Sequence, residues 1–290
     1  MGSTEKTLPG LPSWVPDWTG PPARFELERL GRARLFRAFG GRRRVEARFL
    51  DQEVVKVQGV MFDVVEAVAE VMGYDDEEET LGIFAAWYRF VRGNPDRGGA
   101  AEYVAGGSRV EAYWRTLCMD TCRSLAWNSS IGNKEPRYRR CSPEYVRDCM
   151  ALWMDAEGLP LATPPPSLAS LPDGDGKPPR HDSAELTKHD DLNFVAVDFA
   201  VTSATIQRRL FRTTKGYIGL GPPTLRAGDR VHVFAGGHTH FVVRDAQSRL
   251  VPYVGSRVCS QLIGDCYVHG IMDGEAMDRP GAESEKVYLT

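Results

Sequence analysis

Three histidines near the carboxyl-terminal end of the chain have a residue type that can bind a metal. His238 and His240 follow two consecutive glycines that signal a hairpin, and alternate residues of a strand point to the same face of a sheet. With Cys266 or His269 they would form a nitrogen and sulfur site, and a metal held by His238, His240 and His269 would support a metal-dependent hydrolase. No acidic residue is spaced nearby to orient the imidazole rings, which argues against a metal site here.

A second group of polar residues lies in residues 267–275. His269 with Asp273 or Glu275 has the residue types for general acid and base catalysis, but no nucleophile in a recognisable context accompanies them, and the serines lack the Gly-x-Ser-x-Gly pattern. The favoured interpretation is a strand and turn that complete the fold, and the alternative is a partner-binding surface. The candidate contact residues of that surface are Tyr267, His269, Met272, Asp273 and Glu275.

The glycines of residues 216–221 and a pair of cysteines do not predict binding sites. Pro222 and Pro223 follow the glycines where a phosphate-binding helix would have to begin, and proline has no N–H to donate. Cys118 and Cys122 lie on the apolar stripe of a predicted helix, where thiols pack in the core more often than they bind zinc. We therefore predict no catalytic residue, no metal and no cofactor.

The composition argues against several classes of protein. The 290 residues are 42% hydrophobic, which is enough for a sizeable core, and a net charge of -3 argues against a dedicated nucleic-acid-binding protein. No apolar stretch approaches the ~20 residues that cross a bilayer, and the first residues lack the apolar region of a secretory signal. We expect a cytoplasmic protein whose six cysteines are thiols.

Strand patterns stand at both ends of the chain. The last quarter, residues 208–277, alternates turn signals with short apolar segments, and Gly228 with Asp229 begins one of these segments. This pattern predicts a β-meander. Earlier strands are predicted at residues 35–39, 45–50 and 54–60.

Between these strands the apolar period changes from two to 3.6, which predicts helices. The clearest helix begins at Ser108, which forms a capping box with Glu111. A proline- and glycine-rich stretch with few large apolar residues then predicts a disordered linker. The helices are predicted at residues 64–72, 77–92, 108–125 and 142–158, the linker at 159–189, and a further helix, with a strand as the alternative, at 190–206.

These elements predict an α+β fold, in which a small antiparallel β-barrel built from N- and C-terminal strands carries a helical insertion. Neither set of strands is large enough alone to bury a face, so both should share one sheet. The predicted divisions are an arm at residues 1–30, the barrel at 31–61 and 207–277, the helical insertion at 62–158, the linker at 159–189 and a returning helix at 190–206.

Ordered blocks of the chain resemble fungal heterokaryon-incompatibility proteins, in the region that follows their HET domain. Residues 211–222 resemble a strand of that family that ends in Gly-Tyr-x-Gly-x-Gly-Pro, and residues 267–275 resemble its closing Tyr-Val-His-Gly-Ile-Met-Asp-Gly-Glu segment. Residues 11–18 and 59–63 resemble earlier blocks of the same region, whereas residues 75–188 have little that matches. The residues that carry the structural motif are Gly216, Tyr217, Gly219, Gly221, Pro222, Gly228 and Asp229.

The resemblance implies a non-catalytic regulatory or recognition region that acts in fungal non-self recognition and programmed cell death. In the family a TIR-like HET module triggers death and precedes the block that begins here at Leu11. We therefore expect a chain without this effector, whose partner is another protein or the missing HET module rather than nucleic acid or a membrane.

Overall fold

The computed structural model describes residues 8–17, 19, 25–41, 47–73, 77–93, 102–123, 138–143, 146, 194–251 and 254–290. Within these residues ten strands and four helices confirm the predicted α+β class. The helices are α1 (Glu26–Ala33), α2 (Glu77–Arg92), α3 (Arg109–Leu117) and α4 (Phe194–Thr205). The strands are β1 (Ala47–Phe49), β2 (Val55–Val71), β3 (Thr121–Arg123), β4 (Tyr138–Arg140), β5 (Arg209–Thr213), β6 (Ile218–Gly221), β7 (Arg230–Phe234), β8 (His240–Val251), β9 (Gly255–Val268) and β10 (Ser284–Leu289).

Strands from both ends of the chain share one eight-stranded sheet. The 17-residue β2 pairs antiparallel with β7 along residues 59–64 and with β5 along residues 65–71. From β5 the neighbours follow in the order β6, β9, β8 and β7, so the path of paired strands leaves β2 and returns to it. β1 and β10 pair with the first part of β2. The predicted pairing of early strands with late ones is confirmed.

Residues 64–72 do not form the predicted helix, because they lie in and just after the second half of β2. Val65 and Val68 pair with Thr213 and Phe211 of β5, and β-branched side chains fit a pleated sheet well. Register shifts interrupt the ladder between residues 65 and 67 and again between residues 68 and 71. These irregularities remove the strict alternation of a strand and leave a spacing that resembles a helix.

Residues 35–39 form turns instead of the predicted strand. They follow α1, which the sequence analysis missed and which crosses the predicted boundary at residue 30. Their backbone bonds to loops, since the N–H of Arg37 donates to the carbonyl of Met272 (2.9 Å) and that of Ala38 donates to His238 (3.1 Å). Phe36 is fully buried, so this segment closes over the core without extending the sheet.

The predicted helices at residues 77–92 and 190–206 are confirmed as α2 and α4, and α3 begins where the capping box predicts. The Ser108 hydroxyl accepts a hydrogen bond from the N–H of Glu111 (3.1 Å). The prediction that this helix continues to residue 125 is wrong. Met119 and Asp120 have positive φ angles of 54° and 51°, which a right-handed helix does not allow, and β3 follows and pairs with β4.

The predicted helical insertion at residues 62–158 is therefore not all helical, since it includes half of β2 and the β3–β4 pair. The predicted helix at residues 142–158 lies largely outside the described residues, among which Pro143 and Val146 are helical. The predicted linker at residues 159–189 also lies outside them. None of the described helices is long and apolar enough to span a bilayer.

The two largest of the four apolar clusters in the described residues hold the helices and strands together. One joins α2 and α3 to the sheet through Trp87, Tyr113 and Leu117, and the other is formed largely by strand residues such as Val231 and Val242. Two side-chain hydrogen bonds connect parts of the first core: the Trp87 indole donates to the carbonyl of Glu70 (3.0 Å), and the Tyr113 hydroxyl donates to the carbonyl of Phe84 (2.9 Å). The helices are thus fixed in position against the sheet.

The glycine-rich strand β6 has little space for side chains. A Cβ atom on Gly219 would lie 2.2 Å from the carbonyl oxygen of Tyr267, and one on Gly221 would lie 2.5 Å from a methyl carbon of Leu225. Gly216 has a φ of +90° in the turn that joins β5 to β6. The glycines of the structural motif therefore allow close contact and a tight turn, and Pro222 follows directly at the end of β6.

The predicted hairpin between β7 and β8 is confirmed, with Val231 opposite Val242 across the two strands. Asp229, which precedes β7 and is 2% exposed, holds the start of this hairpin. Its carboxylate accepts a hydrogen bond from the N–H of Arg226 (2.8 Å) and two from the Arg244 guanidinium (2.7 and 2.9 Å). β10 lies beyond residue 277, where the predicted barrel ends, so the prediction did not include this strand.

The described part of the predicted arm packs back onto the strands. The Ser13 hydroxyl accepts a hydrogen bond from the N–H of Leu262 (2.8 Å), and the Trp14 indole donates to the carbonyl of Glu53 (3.2 Å). The Trp14 ring also lies 5.5 Å from the ring of Phe49 in β1. Residues 13 and 14 are therefore part of the folded domain.

Candidate functional site

Residues 267–275, which extend from the end of β9 into the following turns, lie between two other parts of the chain. A Cβ atom on Gly270 would lie 2.3 Å from the Cβ of Ala105, and one on Gly274 would lie 2.9 Å from the Cα of Gly40. Both glycines also have positive φ angles, +84° and +112°. Glycine is thus needed here for backbone conformation and for close approach on both sides.

Two tyrosines hold His269 from both sides. The Tyr103 hydroxyl donates to the carbonyl oxygen of His269 (3.0 Å) and accepts from the N–H of Ile218 (3.0 Å). The Tyr267 hydroxyl lies 2.9 Å from Nδ1 of the His269 ring. Burial lowers the pKa of His269 to about 3, and the nearby guanidinium groups of Arg115 and Arg140 act in the same direction. The ring is therefore neutral at neutral pH, and its Nδ1 shares a hydrogen bond with the Tyr267 hydroxyl.

Next to this histidine lies a group of four charged residues, which we call the Asp120 cluster: Arg115, Asp120, Arg140 and Asp273. The Asp120 carboxylate binds Nη1 of Arg115 (2.5 Å) and Nη2 of Arg140 (2.9 Å), and the same Arg140 nitrogen binds Asp273 (3.0 Å). Burial raises the pKa of Asp120, while both arginines oppose that effect. The strained turn at residues 119 and 120 places this carboxylate between the two arginines.

The predicted contact residues differ in their exposure. The prediction is wrong for Tyr267 and Met272, which are buried and do not belong to a surface. Tyr267 and Met272 are 1% and 2% exposed, and the Met272 sulfur accepts a hydrogen bond from the N–H of Val268 (3.3 Å). Asp273 and Glu275 are exposed, and the Glu275 carboxylate accepts from the N–H of Asp273 (2.8 Å). His269 is partly buried. The groups of this segment that reach the surface are therefore the two acids, beside the exposed edge of Arg140.

The structure does not favour the alternative of a metal-dependent hydrolase. His238 is exposed and its Nδ1 lies 2.9 Å from the carbonyl of Phe36, while His240 is fully buried and neither of its ring nitrogens has a hydrogen-bond partner. The two do not share a strand face, because His238 lies in the connection that precedes β8. Across the described residues, no group of three or more histidines, cysteines, aspartates or glutamates is arranged to hold a metal ion.

The cysteines predicted to pack in the core do so, although not on one helix. Cys122 is 1% exposed and belongs to the core that joins α2 and α3 to the sheet, and Cys118 packs against that core. Cys118 is the residue that ends α3, whereas Cys122 lies in β3. Met119 and Asp120, two of the three residues between them, have positive φ angles that separate these elements.

Sequence reasoning missed the residues of the Asp120 cluster other than Asp273. Arg140 belongs to a short basic run, which is usually a solvated surface feature, and neither Arg115 nor Asp120 lies in a recognisable motif. Tyr103 was missed for the same reason. The missed residues all lie 130 or more positions before Asp273 in the chain. Only the folding of the chain brings them close to Asp273 and His269.

Comparisons with known proteins agree with this structure. A family model described as the Het-6 beta-barrel domain matches residues 69–290. Heterokaryon incompatibility protein 6, OR allele, from Neurospora crassa is 43% identical over 82 residues, which are 28% of this chain and 11% of that protein. No solved structure matches significantly. Because the family model covers most of the chain, this chain belongs to the Het-6 beta-barrel domain family, a family of fungal heterokaryon-incompatibility proteins.

Proposed function

We propose that this chain is a non-catalytic recognition domain of a heterokaryon-incompatibility system, which binds a protein partner during non-self recognition in the fungal cytoplasm. The family match over residues 69–290 carries this proposal. We further propose that the ring of paired strands β2, β5, β6, β9, β8 and β7 is the β-barrel of the family. Cell death would then be triggered by a HET module, on the same or another polypeptide.

The geometry around His269 supports a binding role rather than catalysis. The His269 ring is neutral and hydrogen-bonded to the buried Tyr267, and in the described part of the chain no serine, threonine or cysteine side chain is hydrogen-bonded to it. A general acid or base needs a pKa near the working pH, and the pKa of this ring lies well below that range. The site instead consists of fixed, hydrogen-bonded groups that support an exposed charged edge.

That edge is the proposed partner surface, formed by Asp273 and Glu275 beside Arg140. Asp273 and Arg140 have side chains that are 46% and 36% exposed, so both can reach a partner while their positions are held by the buried Asp120. Fixed charges at the rim of an interface select partners with complementary charge and exclude others. Two acids beside one arginine favour a partner with a basic contact residue.

Expression in a fungal host tests this proposal. We expect the chain alone to leave cells viable, and we expect it to change the incompatibility response of cells that co-express full-length heterokaryon incompatibility protein 6 of Neurospora crassa. The double variant Asp273→Ala and Glu275→Ala should lose this effect. The matched control is Glu66→Ala with Asp245→Ala, which removes two exposed acids that pair with Arg212 and Arg230 elsewhere on the sheet.

The outcome that contradicts the proposal is death caused by the chain alone. If that death disappears in the double variant His269→Ala and Asp273→Ala, the domain itself has an activity that uses the site around His269. If the control double variant at Glu66 and Asp245 had the same effect as the double variant at Asp273 and Glu275, the assignment of the partner surface would be contradicted. Both variants remove two exposed acids, so an equal effect would come from the loss of charge and not from the position of the acids.

A further inference from the structure

Two cationic side chains meet at one carbonyl oxygen of β2. β10 and β5 pair with β2 before and after residues 61–63, so these residues have β7 as their one partner among the described strands. The carbonyl oxygen of Phe62 lies in this gap between β10 and β5. It accepts hydrogen bonds from Nζ of Lys215 (2.6 Å) and from Nη1 of Arg279 (3.4 Å).

A bulge and two turns bring these three residues together, and we call them the Phe62 site. The register of β2 with β7 shifts at Phe62, which is the extra residue of a β-bulge. Lys215 lies in the turn between β5 and β6, and its backbone N–H donates to the Asp63 carboxylate (3.0 Å). Arg279 lies in the turns that follow β9, where its carbonyl accepts the N–H of Ala282 (3.2 Å). Both cations therefore project from backbone that hydrogen bonds hold in place.

The two cations lack a counter-charge. Neither of them forms an ion pair with a carboxylate in the part of the chain that the structure describes. The Asp63 carboxylate beside the turn instead accepts from the N–H of Val64 (2.9 Å) and from the Thr214 hydroxyl (2.5 Å). Because both cationic nitrogens contact one oxygen atom, they lie no more than about 6 Å apart. Two positive charges this close repel each other, and an anion bound to both would offset that repulsion.

The Phe62 ring holds both charges next to each other. The guanidinium carbon of Arg279 lies 4.4 Å from the centre of the ring, and Nζ of Lys215 lies 5.4 Å from it. The ring is buried, whereas Lys215 is exposed and Arg279 is half-buried. A carbonyl oxygen has two lone pairs, so the other N–H groups of both cations are left for a different acceptor. The site therefore offers fixed donors that a ligand can reach.

We propose that the Phe62 site binds a phosphate group, which Lys215 and Arg279 hold by charge-assisted hydrogen bonds. A phosphate monoester is a dianion near neutral pH, so it matches two adjacent positive charges, whereas a carboxylate would leave one of them uncompensated. The planar guanidinium also presents paired N–H groups that fit phosphate oxygens. The ligand is a soluble compound that carries a phosphate monoester.

This site is separate from the other features of the chain. It uses side chains on a turn and not the backbone of a helix, so it does not need the phosphate loop that Pro222 and Pro223 exclude. It also goes beyond the proposed recognition function, because it shares no residue with the partner surface formed by Asp273, Glu275 and Arg140. Binding at one site can therefore be tested without changing the other.

Isothermal titration calorimetry of the full chain with inorganic phosphate, at low ionic strength and about pH 8, tests the proposal. We expect saturable binding at one site with a Kd in the millimolar range, as for a few charge-assisted hydrogen bonds. Phosphate at ten times that Kd should raise the melting temperature by roughly 3 °C relative to chloride at equal ionic strength. Absence of saturable binding by the parent protein would overturn the proposal, and this result depends on no variant.

Two double variants locate the binding. Lys215→Gln with Arg279→Gln should weaken phosphate binding at least about tenfold and abolish the shift in melting temperature. The matched control is Arg257→Gln with Lys286→Gln, which removes the same charge from exposed positions on β9 and β10 and should leave binding unchanged. Equal weakening by the two double variants would show general attraction of anions to basic residues, and it would overturn the assignment to the Phe62 site.

Vesicles distinguish a soluble phosphate compound from a lipid headgroup, since both carry the same chemical group. Phosphatidylcholine vesicles with and without phosphatidic acid would be sedimented with the parent protein. We expect no sedimentation, which supports a soluble ligand. Sedimentation that requires phosphatidic acid and is lost in the Lys215 and Arg279 double variant would overturn the assignment to a soluble ligand.

Discussion

Replacing Gly219 with alanine tests how this sheet is packed. Gly219 pairs with Phe211 of β5 on one side and with Val268 of β9 on the other, so it lies between two neighbouring strands. A Cβ atom here would lie 2.2 Å from the carbonyl oxygen of Tyr267 and 2.7 Å from the Phe211 ring. The ring can shift slightly, but the carbonyl belongs to a paired backbone and cannot move without breaking the ladder.

The expected cost follows from that contact. Overpacking a well-packed core costs about 1 to 3 kcal/mol, and a clash with backbone belongs at the upper end or above it. We therefore expect Gly219→Ala to lose at least about 3 kcal/mol of unfolding free energy, which lowers the melting temperature by roughly 10 °C.

Two other glycines serve as matched controls, because a Cβ atom on either would meet no atom within 4 Å. Gly216 has a φ of +90°, so Gly216→Ala should cost about 1 to 2 kcal/mol through backbone strain alone. Gly73 is not among the glycines of positive φ, so Gly73→Ala should be neutral or stabilise the fold by about 0.5 kcal/mol.

Thermal and urea denaturation, followed by circular dichroism, measure these differences. The order of stability should be Gly73→Ala, then Gly216→Ala, then Gly219→Ala. A melting temperature for Gly219→Ala within about 2 °C of the parent would show that β9 does not approach β6 as closely as the structure has it.

Three further predictions concern stability. Asp229→Ala should lower the free energy of unfolding by about 2 to 4 kcal/mol, because it leaves the Arg244 guanidinium without its buried carboxylate. A loss under about 1 kcal/mol in urea unfolding, the value typical of an exposed pair, would contradict this prediction. Burial lowers the pKa of His240 to about 3, so below pH ~6.5 the unfolded chain takes up a proton that the folded chain does not, and stability falls as the pH falls towards 3. In the variant His240→Leu, the free energy of unfolding should fall by about 2 kcal/mol less between pH 7 and pH 5 than it does in the parent protein. An equal fall in both proteins would show that the His240 ring is not held neutral by burial. Ser108→Ala should lower the free energy of unfolding by about 1 kcal/mol, measured by urea denaturation, through loss of the cap on the N–H of Glu111.

Features that depend on neighbours in the sequence were predicted from it. The capping box of Ser108 and Glu111 marks the start of α3, and the glycine turn before His238 marks the β7–β8 hairpin. The α+β class followed from strand patterns at both ends and helical patterns between them. Each of these signals is local, because a cap or a hairpin is formed by residues a few positions apart.

The second half of β2 shows where local reasoning fails. Its valines fit a helical spacing, yet their pairing with β5 and β7 decides that the segment is a strand. A segment of this length gains more from hydrogen bonds and apolar contact with two neighbouring strands than from its own helical preference. The register shifts that hide the period of two arise from that pairing and cannot be seen in the sequence.

The sequence also indicated residues 267–275 as a notable segment and named Asp273 and Glu275 among its contact residues. Only the tertiary structure decided that Tyr267 and Met272 are buried and that Arg115, Asp120 and Arg140 surround His269. It also decided that the three candidate metal-binding histidines have separate environments. The physical reason is that burial, ion pairing and pKa depend on atoms that chain folding brings together, such as those of Arg140 and Asp273 or of Tyr103 and His269, and residue spacing carries no record of those contacts.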